Sequence, residues 1–237
     1  MAFSICGQTP DTRLFHQARH ICGVPGFAPY ALPGSDRLGN NIAAQFAAGH
    51  DCVILENHGV VVGGTTLERA FARFETLEFT AKTILKARRL GDVRYLTDEQ
   101  LALAARYEPL PSFDPPAPAP HELEVRRTLC DFVRRGYQQR LFISTEGSFS
   151  ARVGEDAFVI TRRGCDRMSL EPADLVLVDA GRAEAGQRPS QASLNHRAIY
   201  RRYPQFHAIV NADPVNATAF SVTGAVLDTR TIPESYI

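Results

Sequence analysis

Strand and helix signals alternate through both halves of this 237-residue chain, and that alternation predicts an α/β fold with helices packed on sheets. Three stretches carry the expectation. Val53-Ile54-Leu55 is continuously apolar, as in a strand buried on both faces rather than one. Directly after it, residues 65–91 place apolar side chains at helical spacing between a capping signal and a terminal glycine. In the second half, Leu175-Val176-Leu177-Val178-Asp179 repeats the strand pattern ahead of a helical stretch over 190–203.

The composition narrows the class. Hydrophobic residues make up 44% and charged residues 22%, the balance of a folded globular protein with a real core. Lys+Arg and Asp+Glu stand at 26 each, which leaves no electrostatic case for nucleic acid or an anionic membrane as partner. No apolar run approaches the roughly 18–20 residues of a membrane span. The opening Met1-Ala2-Phe3-Ser4-Ile5-Cys6-Gly7 lacks the charged and apolar regions of a signal peptide. Five cysteines, odd in number and scattered without a CxxC, point to reduced thiols and a cytoplasmic protein.

Taken in order, residues 1–34 are broken by Gly7, Pro10, Gly23, Pro25, Gly26, Pro29, Pro33 and Gly34 into short strands and loops. Ser35 is the expected N-cap of a helix to about Ala48, with Leu38, Ile42 and Phe46 on one face. A strand follows, ending at His58, with Val60 to Val62 as its hairpin partner. Thr65 and Glu68 form a capping box for a helix whose inward stripe reads Leu67, Phe71, Phe74, Leu77, Ala81, Ile84 and Leu85. Lys86, Arg88 and Arg89 fall in its last turn and Gly91 just beyond. Thr97 opens a short helix to about Ala105. Prolines at 109, 111, 115, 116, 118 and 120 predict a stiff extended linker without a ladder.

Beyond the linker, a helix over Glu122–Tyr137 turns Val125, Leu129, Phe132 and Val133 inward. Strands are expected near Leu141–Ile143, Ser148–Val153, Ala157–Thr161 and Leu175–Asp179, and a buried one at Ala208-Ile209-Val210. Asp213-Pro214 then caps a helix to about Val222.

His58 is the first residue to question for chemistry, because it closes a strand on a rigid sheet and Gly59 lets the chain turn after it. A histidine there is also commonly a hydrogen-bonded structural residue. His16 and His20 are four apart without a third ligand, His196 reads as a packed core histidine, and Arg162-Arg163-Gly164 reads as a solvated basic turn or an anion cradle. Glu56, Glu75 and Glu78 read as surface or helix-pairing residues, and the cysteines as buried small hydrophobes.

A repeat reframes the chain. Ala2-Phe3-Ser4-x-x-Gly7-x-x-x-Asp11-Thr12-Arg13 recurs as Ala219-Phe220-Ser221-x-x-Gly224-x-x-x-Asp228-Thr229-Arg230, identical at seven of twelve positions and offset by 217 residues. An offset on the scale of one domain implies a chain running from midway through one copy to midway through the next.

The motifs in order resemble the class II aldolase/adducin family over nearly the whole chain. In residues 1–105 the resemblance rests on Pro29-Tyr30-Ala31-x-Pro33-Gly34-Ser35, on Leu55-Glu56-Asn57-His58-Gly59, and on the helix carrying Leu67-Glu68-x-Ala70-Phe71 and Glu75-x-Leu77-Glu78-x-x-Ala81-Lys82. In residues 122–237 it rests on Gly147-Ser148-Phe149-Ser150-Ala151-Arg152, Ile160-Thr161-x-x-Gly164, Asp174-Leu175-Val176-x-Val178-Asp179, Gly186-x-x-Pro189-Ser190, His196-x-x-Ile199-Tyr200 and Thr231-Ile232-Pro233-Glu234-Ser235-Tyr236. The resemblance implies α/β/α layers with a mostly antiparallel central sheet. It makes residues 1–105 the C-terminal half of one domain, 106–121 a Pro-rich linker and 122–237 the N-terminal half of a second, with the halves in permuted order.

The resemblance also implies a homo-oligomer of tetramer type acting on small sugar phosphates or related hydroxy-carbonyl compounds. A divalent metal, with zinc the expected ion, is held by three histidines, of which His58 matches the third. The other positions depart from the pattern. The paired histidines fall on Asn211 and Asp213, a poor donor set for zinc, and the proton-moving acid falls on Ala192. The phosphate-holding turns fall on Gly147-Ser148, on Arg163-Gly164 and on Ser190. The second copy therefore reads as a degenerate, non-catalytic repeat, and the ligands completing the first are expected upstream of Met1. The chain is either part of a metal-dependent aldolase or epimerase, or a non-catalytic adducin-like interaction module.

Overall fold

The computed structural model describes residues 1–231 and 233–235, so Ile232 and Tyr236 of the Thr231–Tyr236 motif lie outside the described residues. Along the chain the elements are α1 (Ala2–Ile5), α2 (His16–Cys22), β1 (Gly26–Ala28), α3 (Asp36–Ala47), β2 (Cys52–Leu55), β3 (Gly59–Val62), α4 (Leu67–Ala87) and α5 (Asp98–Ala104). Then follow β4 (Ser112–Phe113), α6 (Pro120–Gln138), β5 (Ser148–Arg152), β6 (Ala157–Thr161), β7 (Leu175–Asp179), β8 (Arg182–Glu184), α7 (Ser193–Arg202), β9 (Ala208–Asn211) and α8 (Val215–Ser221). They gather into two compact units, Met1–Ala105 with Val215–Ile237, and Arg106–Pro214. The class is mixed α/β with sheets flanked by helices, as the alternation predicts.

The first unit is built on the three-stranded sheet β1-β2-β3, in which β2 runs parallel to β1 and antiparallel to β3. Every residue of β2 is buried, which is why its sequence shows no alternation. The strand stops at Leu55 and leaves His58 in the connecting turn, three residues past the ladder. Ser35 caps α3 by accepting from the Leu38 amide at 3.3 Å, and Ile42 and Phe46 pack on Val53 and Leu55.

Two expectations for α4 need correction. Its N-cap is Thr66, accepting from the Arg69 amide at 3.3 Å, one residue later than the Thr65–Glu68 box. The stripe is rotated as well: Leu67, Phe71 and Phe74 are 81%, 52% and 44% exposed, whereas Thr76, Thr80 and Thr83 are buried beside Leu77 and Ile84. Thr80 and Thr83 can turn inward because their hydroxyls bond back along the helix, Thr80 to the Thr76 carbonyl at 2.7 Å and Thr83 to that of Phe79 at 2.9 Å, whereas the buried Thr76 hydroxyl has no hydrogen-bond partner among the described residues.

The sequence repeat is also a structural one. Ser4 Oγ donates to the Met1 carbonyl at 3.0 Å and Ser221 Oγ to the Thr218 carbonyl at 2.9 Å. Asp11 accepts the Arg13 amide at 2.9 Å and its Nε at 3.1 Å; Asp228 accepts the Arg230 amide and Nε, each at 3.0 Å. Gly7 and Gly224 share a left-handed backbone at φ +62° and +74°.

The second unit holds the six-stranded sheet β4-β8-β7-β6-β5-β9, antiparallel except where β4 meets β8. Strict alternation sends Phe158, Ile160, Val176 and Val178 to one face with Tyr200 of α7. The other face presents Val159, Leu175 and Leu177 to Leu129 and Val133 of α6. The proline segment does hold a short ladder after all. Pro111 and Phe113 offer carbonyls to the Ala183 and Ala185 amides at 2.8 and 2.9 Å, and at a sheet edge proline's missing donor costs nothing. Residues 141–143 form no strand: the chain folds back on α6, and Phe142 lies so close to Gly136 that a Cβ there would sit 2.5 Å from its ring. Phe132 is exposed rather than inward, and β9 is an exposed edge strand rather than a buried one, with Val210 61% exposed.

Candidate functional site

Two groups of expected site residues exist, one in each compact unit. In the first, the hairpin turn Glu56-Asn57-His58 is fixed through its backbone. The Glu56 amide donates to the Ala28 carbonyl at 3.0 Å, the Asn57 amide to that of Ser4 at 3.2 Å and the His58 amide to that of Leu55 at 3.2 Å. Asn57 takes the left-handed conformation at φ +53°, which asparagine tolerates better than most residues. The Glu56 carboxylate accepts the Tyr30 amide at 2.8 Å, so it ties the turn to the chain leaving β1 and is a positioning group rather than a surface charge. The His58 side chain is exposed. The turn therefore presents one imidazole from a well-held backbone, suited to a ligand or proton-transfer role that other residues must complete.

In the second unit the expected substrate residues do meet, but they satisfy one another. Ser148, at the start of β5, shares a short hydrogen bond with Ser190 through their hydroxyls. Ser190 Oγ also accepts the Ala192 amide at 3.3 Å, so Ala192 contributes a backbone donor and no acid. Asn211 lies directly opposite Ser148 in the β5–β9 ladder. Gly147 adopts φ +77°, a left-handed backbone that strains any side chain, and a Cβ there would meet the Asn211 carbonyl and Phe142 at 3.4 Å. Gly164 is left-handed too, at φ +70°. The Arg163 guanidinium before it stacks 4.5 Å from the Tyr107 ring centroid, and Arg162 faces Asp174 at 3.9 Å.

Two residues missed in the sequence shape this turn from behind. Arg167 is 2% exposed and spends its guanidinium on carbonyls: Nε on Glu146 and Gly147 at 3.1 and 3.2 Å, Nη1 on Arg162 and Cys165 at 3.0 and 2.9 Å, and Nη2 on Gly147 at 2.9 Å. Glu146 is buried, and burial first, then Asp213, push its carboxyl up to about 8 against the opposing pull of Arg167. Extending the β5–β9 register two residues past Ser148–Asn211 sets positions 146 and 213 opposite each other. No pattern marks either residue, since charged side chains beside glycine turns ordinarily read as solvated.

His196 is the packed core histidine expected. Its Nδ1 shares a 2.8 Å hydrogen bond with Ser150 Oγ, which also meets the Tyr200 hydroxyl at 2.8 Å, and burial holds the imidazole down to about 4. His16 and His20 both lie on α2, and among the described residues no group of three or more His, Cys, Asp or Glu side chains could hold a metal ion.

A family model described as the class II aldolase and adducin N-terminal domain matches residues 1–85 and 127–235, well over half of the sequence. The chain belongs to the class II aldolase and adducin family. A methylthioribulose-1-phosphate dehydratase from Methylococcus capsulatus is 44% identical over 87 residues, which cover 35% of this chain and 43% of that protein. A rhamnulose-1-phosphate aldolase from Yersinia pestis is 35% identical over 107 residues, covering 42% of this chain and 39% of that one. The solved L-fuculose 1-phosphate aldolase from Glaciozyma antarctica aligns at 21% identity and a TM-score of 0.43 over 52% of this chain and 53% of its own. The chain thus spans about two fifths of the length of the curated relatives it matches.

Class II aldolases generally use a divalent metal. The residues described here do not fit one: Asn211 offers a neutral amide, Asp213 lies in the field of a buried carboxyl, and His58 is a single imidazole.

Proposed function

We propose that this chain derives from metal-dependent aldolases or epimerases of small sugar phosphates or related hydroxy-carbonyl compounds, and that residues 106–214 carry a degenerate, non-catalytic version of the family site. One observation carries the reading: the groups that would grip a phosphate are already occupied. Ser148 and Ser190 bond each other, and the Arg167 guanidinium is used up on backbone carbonyls. Glu146 adds a carboxyl behind the turn, where a phosphate dianion needs donors and positive charge. Ala192 offers no carboxylate to move a proton. The substrate class comes from relatives named as a methylthioribulose-1-phosphate dehydratase and a rhamnulose-1-phosphate aldolase.

The tandem organisation belongs to the same proposal. Residues 1–105 are the C-terminal half of one copy and 122–237 the N-terminal half of the next, supported by the matching Ser and Asp–Arg hydrogen bonds of the two repeats. In this reading the protein is a cytoplasmic homo-oligomer, and His58 is one zinc ligand of a first-copy site whose other ligands this sequence does not supply. A second reading, an adducin-like interaction module without chemistry, is favoured by the exposed apolar stripe Leu67, Phe71 and Phe74 on α4.

Metal analysis and titration calorimetry on the intact chain test the proposal. The expected results are no saturable heat with inorganic phosphate or rhamnulose 1-phosphate at millimolar concentration, and no stoichiometric zinc. One zinc per chain that disappears in His58→Ala would establish a working site. Saturable phosphate binding abolished by Ser148→Ala would overturn the degenerate reading of residues 106–214.

A further inference from the structure

We propose that Cys22 and Cys52 form an oxidisable dithiol, a modification site at which peroxide joins the end of α2 to the start of β2 through a disulfide. Both side chains are fully buried, neither cysteine is in a disulfide, and they pack in one cluster with Ile54 and Leu77. The residue preceding each cysteine is held by the same guanidinium. Arg73 donates Nε to the Ile21 carbonyl at 3.2 Å and pairs with the Asp51 carboxylate, while Nη1 reaches the Gly63 carbonyl at 2.5 Å. The Cys22 thiol itself donates to the Arg73 backbone carbonyl at 3.5 Å. One residue of α4 therefore sets the approach of two cysteines thirty positions apart in sequence.

Cys52 also differs from Cys130 and Cys165. Burial foremost, with nearby carboxylates such as Asp174 adding to it, pushes Cys130 up to about 11 and raises Cys165. Cys52 goes the other way: a hydrogen bond from the Cys22 thiol, made in place of that thiol's bond to the Arg73 carbonyl, and the nearby Arg73 charge favour its thiolate against burial and Asp51. That assigns Cys52 as the attacking sulfur and Cys22 as the resolving one.

The chemistry closes with hydrogen peroxide as the only co-reactant. The Cys52 thiolate attacks one peroxide oxygen, the O–O bond breaks, and the departing hydroxide takes up the proton Cys52 released, leaving a sulfenic acid and water. The Cys22 sulfur then attacks the sulfenic sulfur. The S–S bond forms, the S–O bond breaks, and the oxygen leaves as a second water with the Cys22 proton. Two thiols lose two electrons and one peroxide becomes two waters.

Peptide mapping of the intact chain provides the test. The reduced protein is treated with hydrogen peroxide, alkylated under denaturing conditions and digested with trypsin without reduction. Cleavage after Arg19, Arg37 and Arg69 places Cys22 on peptide 20–37 and Cys52 on peptide 38–69. The expected product is that pair of peptides joined, lighter by two hydrogens, with Cys130 and Cys165 recovered as alkylated thiols. Recovery of Cys22 and Cys52 as alkylated thiols, at peroxide sufficient to oxidise the exposed Cys6, overturns the proposal. In Cys22→Ser the cross-link is lost and dimedone traps a sulfenic acid at Cys52; an unlabelled Cys52 would remove it from the attacking role. The wild-type map needs no variant, so the proposal stays testable if that substitution does not fold.

Discussion

Glu146 decides how the second unit responds to pH. Its carboxyl is held up to about 8 by burial and by Asp213, so the folded chain keeps a proton that the unfolded chain gives up near 4.5. Between those values the unfolded state binds fewer protons, and stability falls as pH rises through the window before levelling above about pH 8. His196 works in the opposite direction. Held down to about 4, it stays neutral in the fold while the unfolded imidazole charges, so stability is lost as pH drops from 6.5 towards 4. A difference measurement separates them: relative to wild type, Glu146→Gln should gain on the order of a few kcal/mol at pH 8.5 compared with pH 5. Urea denaturation at the two pH values reads this directly, and parallel wild-type and variant curves would mean that the carboxyl does not hold a proton there. Arg167→Met should instead destabilise at every pH by about 3 kcal/mol or more, because it strips several buried carbonyls of their donor. Both residues stand plainly in the sequence. What the sequence does not display is burial, and beside glycine turns a charged residue carries no sign of it.

At the scale of elements, α4 shows where periodicity stops being decisive. Apolar residues lie around most of its circumference, so the spacing of Leu67, Phe71 and Phe74 fits an inward stripe as well as an outward one. The choice was helped by Thr80 and Thr83, whose hydroxyls are satisfied along the helix, on a helix that packs against α2 and α8. Leu77→Ala should cost about 2–5 kcal/mol as a cavity in that buried face, whereas Phe71→Ser should stay within roughly 0.5 kcal/mol. Guanidinium unfolding of both variants checks the rotation, and equal losses would restore the stripe Leu67–Phe71–Phe74 to the core. Helix ends were readable to within a residue or two because Ser35, Thr66 and Thr97 cap locally. The β4 strand was not, because prolines predict what a segment cannot donate and say nothing of the carbonyls it can offer.

For the whole molecule, twenty-six positive and twenty-six negative side chains leave no net charge near neutrality, with an isoelectric point about 7.1. Static light scattering across pH 5–9 should show self-association peaking close to pH 7 and falling on either side, since like charge no longer keeps molecules apart at that point. A flat profile would shift attention to the apolar stripe of α4 as the source of association. The α/β class and the family were legible from buried strand runs and ordered motifs, and the same motifs put forward His58, Ser148 and Ser190 as candidates. Their arrangement was not, because a motif records which residues stand in a turn and leaves open whether they point at a ligand or at each other. Arg167 carries the last consequence. With an arginine gripping it from the protein side, the Gly147 turn keeps its shape with nothing bound, like an arch that retains its centring after the masons have gone. Under the proposed degenerate reading, such a turn would outlive its chemistry for as long as the fold needs the bend.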